Sequence, residues 1–346
     1  MLWAQPWARY RLMRGTVYHD RENRAERRLG RVVGRQEALQ RFPSIRERLW
    51  AQADAIFPIR LPRGWMERME RPDGPLGLQA LPNEGELGAD PGDLLDPVGE
   101  GSRSPLPWIV RKHHDRILLL VTRRCHMYCR YCFRRNHTGP EDPDDADLAA
   151  SIDYIRSSGA RELILSGGDP LAVTDRRLAA ILDAVRDVIP VIRIHTRAPI
   201  TAPQRITPAL VSLLQQRKPT WVIVHCNHPR ELSAAVLEAL GRLVDAGIPV
   251  LNQSVLLRGV NDDAATLARL CESLVEARVF PYYLHHTDAA AGNHAFRVDV
   301  EEGLAIYAEL SKRVSGVALP RYVIDPPDGS GKISVSEWAR RARPGR

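Results

Sequence analysis

The sequence has no apolar run long enough to cross a membrane. None of its runs approaches the roughly 20 consecutive apolar residues that a spanning helix needs, and segment 1–9 has no apolar core of the kind found in secretory signals. Cysteine is also scarce: there are five, an odd number, and three lie within eight residues, which is not the pattern of a disulfide framework. These absences predict a protein of the reducing cytoplasm without a membrane partner.

The sequence also has no excess of acidic residues, and its formal net charge is +7. Residues 1–50 hold twelve arginines against five acidic residues, so the rest of the chain is balanced. A basic run of this kind is usually a solvated helix face, and charge confined to one end does not predict an extended nucleic-acid-binding surface. A basic arm that contacts RNA or an acidic partner stays open as the alternative.

From residue 116 onward, short apolar runs alternate with helix-like stretches. The runs, each predicted as a buried strand, are 117–121, 163–165, 191–194, 221–224, 250–257 and 279–284. The helix-like stretches are 146–158, 174–188, 207–216, 230–246, 262–277 and 299–314. Six strand–helix units predict an α/β fold with a parallel sheet covered by helices, which is either doubly wound or a full or partial barrel.

Polar residues follow the predicted strands, at the edge where parallel α/β folds carry their active sites. These polar segments are 166–169, 195–197, 225–228, 252–254 and 285–288. We therefore expect one site at this edge of a barrel formed by residues 108–315. Residues 1–107 are predicted as a basic helical region followed by an acidic connection rich in Pro and Gly, and residues 316–346 as a C-terminal segment with a basic tail.

Three cysteines follow the first predicted strand, with the spacing C-x3-C-x2-C: Cys125, Cys129 and Cys132. Thiolates are soft ligands that suit iron–sulfur clusters or zinc. Both a structural zinc and a [4Fe–4S] cluster usually take four protein ligands, and Cys226 and Cys271 lie far along the sequence. Three thiols therefore predict a metal centre with one open position, and a structural metal loop is the alternative.

This motif, with Tyr131 before its last cysteine, resembles the signature of the radical S-adenosylmethionine (SAM) enzymes. The resemblance implies a [4Fe–4S] cluster whose open iron binds SAM, and a partial (βα)6 barrel, which agrees with the six predicted units. Segment 166–169 resembles the glycine segment that binds the amino group of SAM in those enzymes, through backbone carbonyls or an acidic side chain. The residues expected to contact cofactors are Gly167, Gly168, Asp169, His225 and Gln253.

Four further segments resemble the lysine 2,3-aminomutase family: 130–135, 252–262, 282–297 and 320–332. The resemblance implies pyridoxal phosphate (PLP) as a third cofactor, bound to Lys332, with Arg116 as a further contact. The residues alone favour the same amine, because the sequence has only four lysines and Lys332 lies in a Gly-Ser-Gly loop after a strand-like run. The other three, Lys112, Lys218 and Lys312, lie in polar or exposed stretches.

Three charged residues match the positions that hold the substrate in that family. Arg134 resembles the clamp for the α-carboxylate, which a planar guanidinium binds through two hydrogen bonds. Asp288 and Asp325 match the carboxylates that bind the distal ammonium of lysine. Asp263 stands where the zinc-bearing members of the family have a cysteine, so no structural zinc is expected.

The resemblance implies an isomerase that converts L-lysine to β-lysine, with an external electron donor for the cluster. Whether the chain forms a homo-oligomer stays open. Three alternatives also stay open: a mutase acting on arginine or another cationic amino acid, a supplier of β-lysine for the modification of elongation factor P, and a non-catalytic metal-loop protein with an RNA-binding arm.

Overall fold

The computed structural model describes residues 31–217 and 220–342, without the side chain of residue 342. Several sequence predictions therefore lie outside the described residues. These are most of the basic N-terminal arm, Lys218 and the final arginines Arg343 and Arg346.

In the described part of the chain, one sheet of nine strands forms the centre, and its spatial order is the order of the sequence. The strands are β1 Ile109–Val110, β2 Arg116–Thr122, β3 Glu162–Gly167, β4 Val191–Thr196, β5 Thr220–Val224, β6 Val250–Val255, β7 Phe280–His285, β8 Arg321–Ile324 and β9 Ile333–Ser334. Strands β2 to β8 are parallel, and β1 and β9 are antiparallel edges.

The strand order distinguishes a barrel from a doubly wound sheet. A doubly wound sheet reverses its order at a switch point, whereas here each strand pairs with the next one along the chain. Among the described strands, β1 and β9 each have a single neighbour, so the barrel is open. The predicted partial barrel is confirmed, with β8 as one parallel strand more than the six predicted from the sequence.

Twelve helices lie among the described residues, and most cover the outer face of the sheet. They are α1 Arg35–Arg41, α2 Glu47–Ile56, α3 Arg63–Glu67, α4 Pro75–Leu78, α5 Asp145–Ser157, α6 Asp175–Val185, α7 Ala198–Thr201, α8 Pro208–Gln215, α9 Ala234–Asp245, α10 Ala264–Glu276, α11 Val300–Arg313 and α12 Val335–Ala342. None of them, in the two described ranges, has the length and hydropathy to cross a membrane.

The six predicted helices are all present, with small differences at their ends. The largest is at α9, which begins at Ala234 rather than at 230, because Pro229–Glu231 forms a separate 3-10 turn. Asp263 is the N-cap of α10, and its side chain accepts a hydrogen bond from the amide of Thr266. The position where a zinc-binding cysteine would stand in the family thus has a local structural role here.

Alternation along the strands separates the outer core from the inner cavity. Leu119 and Val121 of β2 are fully buried in the main hydrophobic core, whereas Arg116 and Leu118 line the cavity inside the barrel. Successive side chains of a strand point to opposite faces, so one strand both anchors its helices and contributes to the site.

The region before the barrel packs onto it rather than standing apart. Trp50 and Trp65, from α2 and α3, are buried in the same hydrophobic cluster as Leu119 of β2. Ile56, the last residue of α2, is 59% exposed. The boundaries predicted at residues 107 and 315 stay predictions.

The Pro/Gly-rich connection 71–107 runs across the carboxyl end of the barrel. Leu94 exchanges backbone hydrogen bonds with the loop after β7, donating to the carbonyl of Ala289 at 2.8 Å and accepting from the amide of Ala291 at 3.0 Å. Further along, Val98 and Glu100 line the central cavity. The connection therefore covers the carboxyl end of the barrel.

Candidate active site

A cavity of about 390 Å³ lies at the carboxyl ends of the parallel strands. Its lining includes every site residue that the sequence predicted: Arg116, Cys125, Cys129, Cys132, Arg134, Gly167, Gly168, Asp169, His225, Gln253, Asp288, Asp325 and Lys332. These residues come from segments up to about two hundred positions apart, and the barrel brings them to one place because its parallel strands all end at the same edge.

The glycine segment after β3 packs directly against the start of the cysteine loop. The amide of Gly168 donates to the carbonyl of Thr122 at 2.7 Å, and the amide of Asp169 to that of Arg124 at 2.8 Å. A Cβ atom on Gly168 would stand 2.3 Å from the Arg124 oxygen, and Gly167 has a φ of +121°. Both glycines are thus needed for the two loops to approach each other.

Asp169 holds the glycine segment against the end of β4. Its Oδ1 accepts from the hydroxyl of Thr196 at 2.6 Å and from the amide of Leu171 at 2.9 Å, and its Oδ2 accepts from the amide of Arg197 at 2.9 Å. The carboxylate is 3% exposed. With three donors already supplied by the protein, Asp169 is less available to a ligand than the neighbouring backbone carbonyls.

The three cysteine thiols are free and partly buried on the cavity wall. Burial raises the pKa of Cys132 to about 11, and burial likewise raises the pKa of Cys125, so these thiols need a bound metal to become thiolates. Within residues 31–217 and 220–342, no group of three or more His, Cys, Asp or Glu side chains is arranged so that it could bind a single metal ion. A [4Fe–4S] cluster needs a different arrangement of its ligands, because each cysteine ligand bonds to a different iron atom.

Two lysines meet one carboxylate on another wall of the cavity. Lys332 Nζ lies 3.0 Å from Asp325 Oδ2, and Lys112 Nζ lies 3.1 Å from Asp325 Oδ1. Burial opposes ionisation of Asp325, but the two ammonium groups outweigh it and lower its pKa. Lys112, which sequence reasoning assigned to a polar stretch, is therefore a site residue, with a side chain only 11% exposed.

Asp288 lines the same cavity but has no ion-pair partner among the described residues. Burial, followed by the charge of Asp325, raises the pKa of Asp288 to about 7. This carboxyl group thus becomes fully ionised near neutral pH only when a cation approaches it.

Arg134 is paired with an acid that the sequence analysis did not select. Its Nε donates to Glu100 Oε2 at 2.8 Å and its Nη2 donates to Glu100 Oε1, while Nη1 donates to the hydroxyl of Ser166 at 3.0 Å. Burial opposes the charge on Arg134, but the Glu100 carboxylate outweighs it and raises the pKa of the guanidinium. Only the acidic character of the connection hinted at this pair.

Neutral histidines occupy the centre of the barrel. Gln253 Nε2 lies 2.6 Å from His225 Nε2 and 3.4 Å from His195 Nδ1. Burial, with the nearby charge of Arg197, lowers the pKa of His225 to about 3. Among the described residues, the Nε2 atoms of His195 and His285 and both ring nitrogens of His126 are buried without a hydrogen-bond partner, and all three histidines line the cavity.

The class of protein follows from comparison with known families. Residues 119–271, which span β2 to α10 and include the cysteine loop, match the Radical SAM superfamily. The chain is 41% identical over 267 residues to the L-lysine 2,3-aminomutase of Fusobacterium nucleatum and 41% identical over 269 residues to that of Clostridium subterminale. These matches cover 75% and 76% of this chain but 63% and 65% of those relatives, so the chain spans less than two thirds of their length.

A shorter relative is matched over most of its length. The L-lysine 2,3-aminomutase of Buchnera aphidicola is 36% identical over 292 residues, which cover 82% of this chain and 86% of that protein. The chain belongs to the lysine 2,3-aminomutase family of radical SAM proteins. Membership implies three cofactors, a [4Fe–4S] cluster, SAM and PLP, and the cavity is lined by thiols, by the glycine segment and by an amine that fit them.

Proposed function

We propose that this protein converts L-lysine to β-lysine by moving the amino group from the α carbon to the β carbon. The observation that carries the proposal is that one cavity combines the three cysteines, two lysine amines, the guanidinium of Arg134 and the carboxylates of Asp288 and Asp325. The names of the relatives support the same reaction. Each set of groups suits one requirement of this reaction.

The cofactor assignments follow from the donor groups. Cys125, Cys129 and Cys132 would bind three irons of the cluster, the backbone carbonyls beside Gly167 and Gly168 would accept from the amino group of SAM, and Lys332 would bind PLP. Arg116, His225 and Gln253 are proposed as further cofactor contacts. When bound, the cluster and SAM supply a carbon radical, and PLP supplies a conjugated system that stabilises a neighbouring radical.

Arg134 is proposed to hold the substrate's α-carboxylate. Its Nε and Nη2 edge is taken by Glu100, so the carboxylate would bind on the Nη1 side, where Ser166 already accepts a hydrogen bond. Glu100 fixes the plane of the guanidinium, and a fixed plane lowers the entropy cost of binding a planar carboxylate.

Asp288 and Asp325 are proposed to select a substrate with a distal cation. Asp325 is already paired with two lysines, so Asp288 carries most of the selectivity in this arrangement. A cation beside Asp288 stabilises its ionised form, whereas a substrate carboxylate would meet like charge in a partly desolvated site. We expect lysine to be preferred, arginine to come second because its planar head is larger, and glutamate to be rejected.

The connection 71–107 is proposed to exclude water during the reaction. Val98 and Glu100 of this segment face the cavity, and the hydrogen bonds of Leu94 fasten it to the loop after β7. Exclusion of water protects a reactive radical from side reactions. We also propose that the protein works in the reducing cytoplasm with an external one-electron donor, because the cluster must be reduced before the first radical is formed.

The test is anaerobic reconstitution with iron and sulfide, followed by incubation with dithionite as the electron donor, SAM, PLP and either lysine, arginine or glutamate. We expect lysine to give β-lysine, with SAM required only in catalytic amounts. The faster formation of a β-amino acid from arginine or glutamate would overturn the substrate assignment. A colourless protein containing stoichiometric zinc would overturn the reaction class.

A further inference from the structure

Arg197, just after β4, places its charge against one of the cysteines of the loop. Its Nη1 lies 2.7 Å from Cys129 Sγ and donates to it. The residue is 8% exposed, so solvent screens this contact weakly. Neither the cofactor assignments nor the substrate assignments give Arg197 a role.

The rest of the Arg197 side chain is fixed by buried acceptors. Nη2 donates to Gln79 Oε1 at 2.6 Å and to Glu231 Oε2 at 2.9 Å, and both of these partners are fully buried. The backbone amide of Arg197 is held by Asp169, and the guanidinium stacks over the ring of Trp65, 5.1 Å from its centroid. The position of the charge is therefore determined by the fold and not by a flexible side chain.

Glu231 is itself fully committed to this network. Its Oε1 accepts from the amide of Asn227 at 3.1 Å and from Gln79 Nε2 at 2.9 Å. The network thus contains one buried cation in contact with the sulfur and one buried anion one step further away. Substitution of each should change the charge near the sulfur in opposite directions.

We propose that Arg197 is a positioning residue that raises the reduction potential of the cluster through Cys129. This inference rests on the proposed assignment of Cys129 as a cluster ligand. Reduction adds one electron to the cluster, taken from a low-potential one-electron donor, and leaves it more negative by one charge. A hydrogen bond to a ligand sulfur and a nearby fixed cation both favour the reduced state.

The experiment compares the midpoint potentials of reconstituted variants, measured by electron paramagnetic resonance during titration with dithionite. Arg197→Gln should shift the midpoint to a more negative potential, and Arg197→Lys, which keeps the charge, should shift it less. Glu231→Gln removes the nearby anion and should shift it to a more positive potential. Arg205→Gln is the matched control, because Arg205 is also a buried arginine but donates to the carbonyls of Leu171 and Val173 and contacts no thiol.

Iron content and the visible spectrum of each variant separate the possible failures. If the unsubstituted protein holds no cluster, the proposed function fails and this inference fails with it. If the clusters form and Arg197→Gln leaves the midpoint unchanged, only this inference is overturned. If Arg197→Gln cannot hold a cluster, Glu231→Gln decides: a positive shift supports the role of Arg197, and an unchanged midpoint overturns it.

Discussion

The two ends of the cavity are built in different ways. At the cysteine end, Asp169, Glu231 and Gln79 are 3% exposed or less and hydrogen-bonded to backbone or to arginine. At the lysine end, Lys332 sits in a glycine loop with its side chain 37% exposed, and its charge partner Asp325 is shared with Lys112. The first end is suited to holding fixed groups, and the second to exchanging partners as a substrate enters and leaves.

The largest effect should come from the fixed end. Replacement of Cys125, Cys129 or Cys132 by Ala removes one of three ligands, and we expect loss of the brown cluster and of all SAM cleavage. Iron analysis and quantification of 5′-deoxyadenosine check this. Cys271→Ala is the control, since Cys271 is buried in α10 away from the cavity. A variant of the loop that keeps both cluster and activity would remove that cysteine from the ligand set.

At the lysine end, Lys332→Ala should abolish mutase activity and the absorption of bound PLP while leaving the cluster intact. The reason is that its amine is the proposed covalent partner of PLP. Borohydride reduction followed by peptide mapping should label Lys332, with Lys312→Ala as a control because that side chain is 72% exposed. Label on Lys112, the other amine beside Asp325, would exchange the roles of the two lysines.

Asp288→Asn should lower kcat/KM for lysine by about 10²-fold, because it removes the charge that carries most of the selectivity at the distal end of the substrate. Asp325→Asn should lower it by less, because Asp325 is already paired with two lysines. SAM cleavage without lysine should be unchanged, since neither carboxylate is at the cysteine end. Steady-state kinetics with lysine and with arginine measure the effect. Unchanged kinetics in both variants would show that these acids do not contact the substrate.

The smallest effect concerns pH. Asp288 has a pKa of about 7 in the folded protein against 3.8 ordinarily, so the folded state holds this proton more tightly than the unfolded state. Its contribution to stability is therefore complete below about pH 4 and is lost as pH rises through 7. The Asp288→Asn variant cannot ionise at this position. Its stability relative to that of the unsubstituted protein should therefore be greater at pH 8 than at pH 5, by about 1–2 kcal/mol. The difference is no larger because the cavity screens part of the charge.

Urea unfolding at pH 5 and pH 8 measures this difference. Asp153→Asn serves as the control, because Asp153 is exposed on α5. The same dependence on pH in the unsubstituted protein and in Asp288→Asn would mean that another group is responsible.

Much of the fold could be predicted from local patterns in the sequence. Every predicted strand and helix of the barrel is present, since alternation and helical periodicity report burial directly. Strand β8 was noticed only as a strand-like run, because Arg321–Ile324 is only four residues long. The extents of β1 and β9, two residues each, are set by pairing and not by composition.

The chemistry of the site was predictable where one residue type has few other uses, as with three clustered cysteines or a scarce lysine. The ion pairs between site residues were not predictable from the sequence. Glu100 lies in an acidic run and Lys112 in a basic one, and nothing in either run distinguishes the residue that turns inward. Their roles depend on contacts across 34 and 213 positions of sequence, which only the folded barrel creates.

The two hydrogen bonds of Leu94 join the cover of the site to the loop that carries Asp288. Because that loop also holds the carboxyl group proposed to recognise the substrate's distal end, the cover cannot lift at this point without releasing the loop. Opening of the cavity and recognition of the substrate's distal end therefore depend on the same pair of hydrogen bonds. The amides of Leu94 and Ala291 should exchange their hydrogens at similar rates, and both should slow together when lysine is bound.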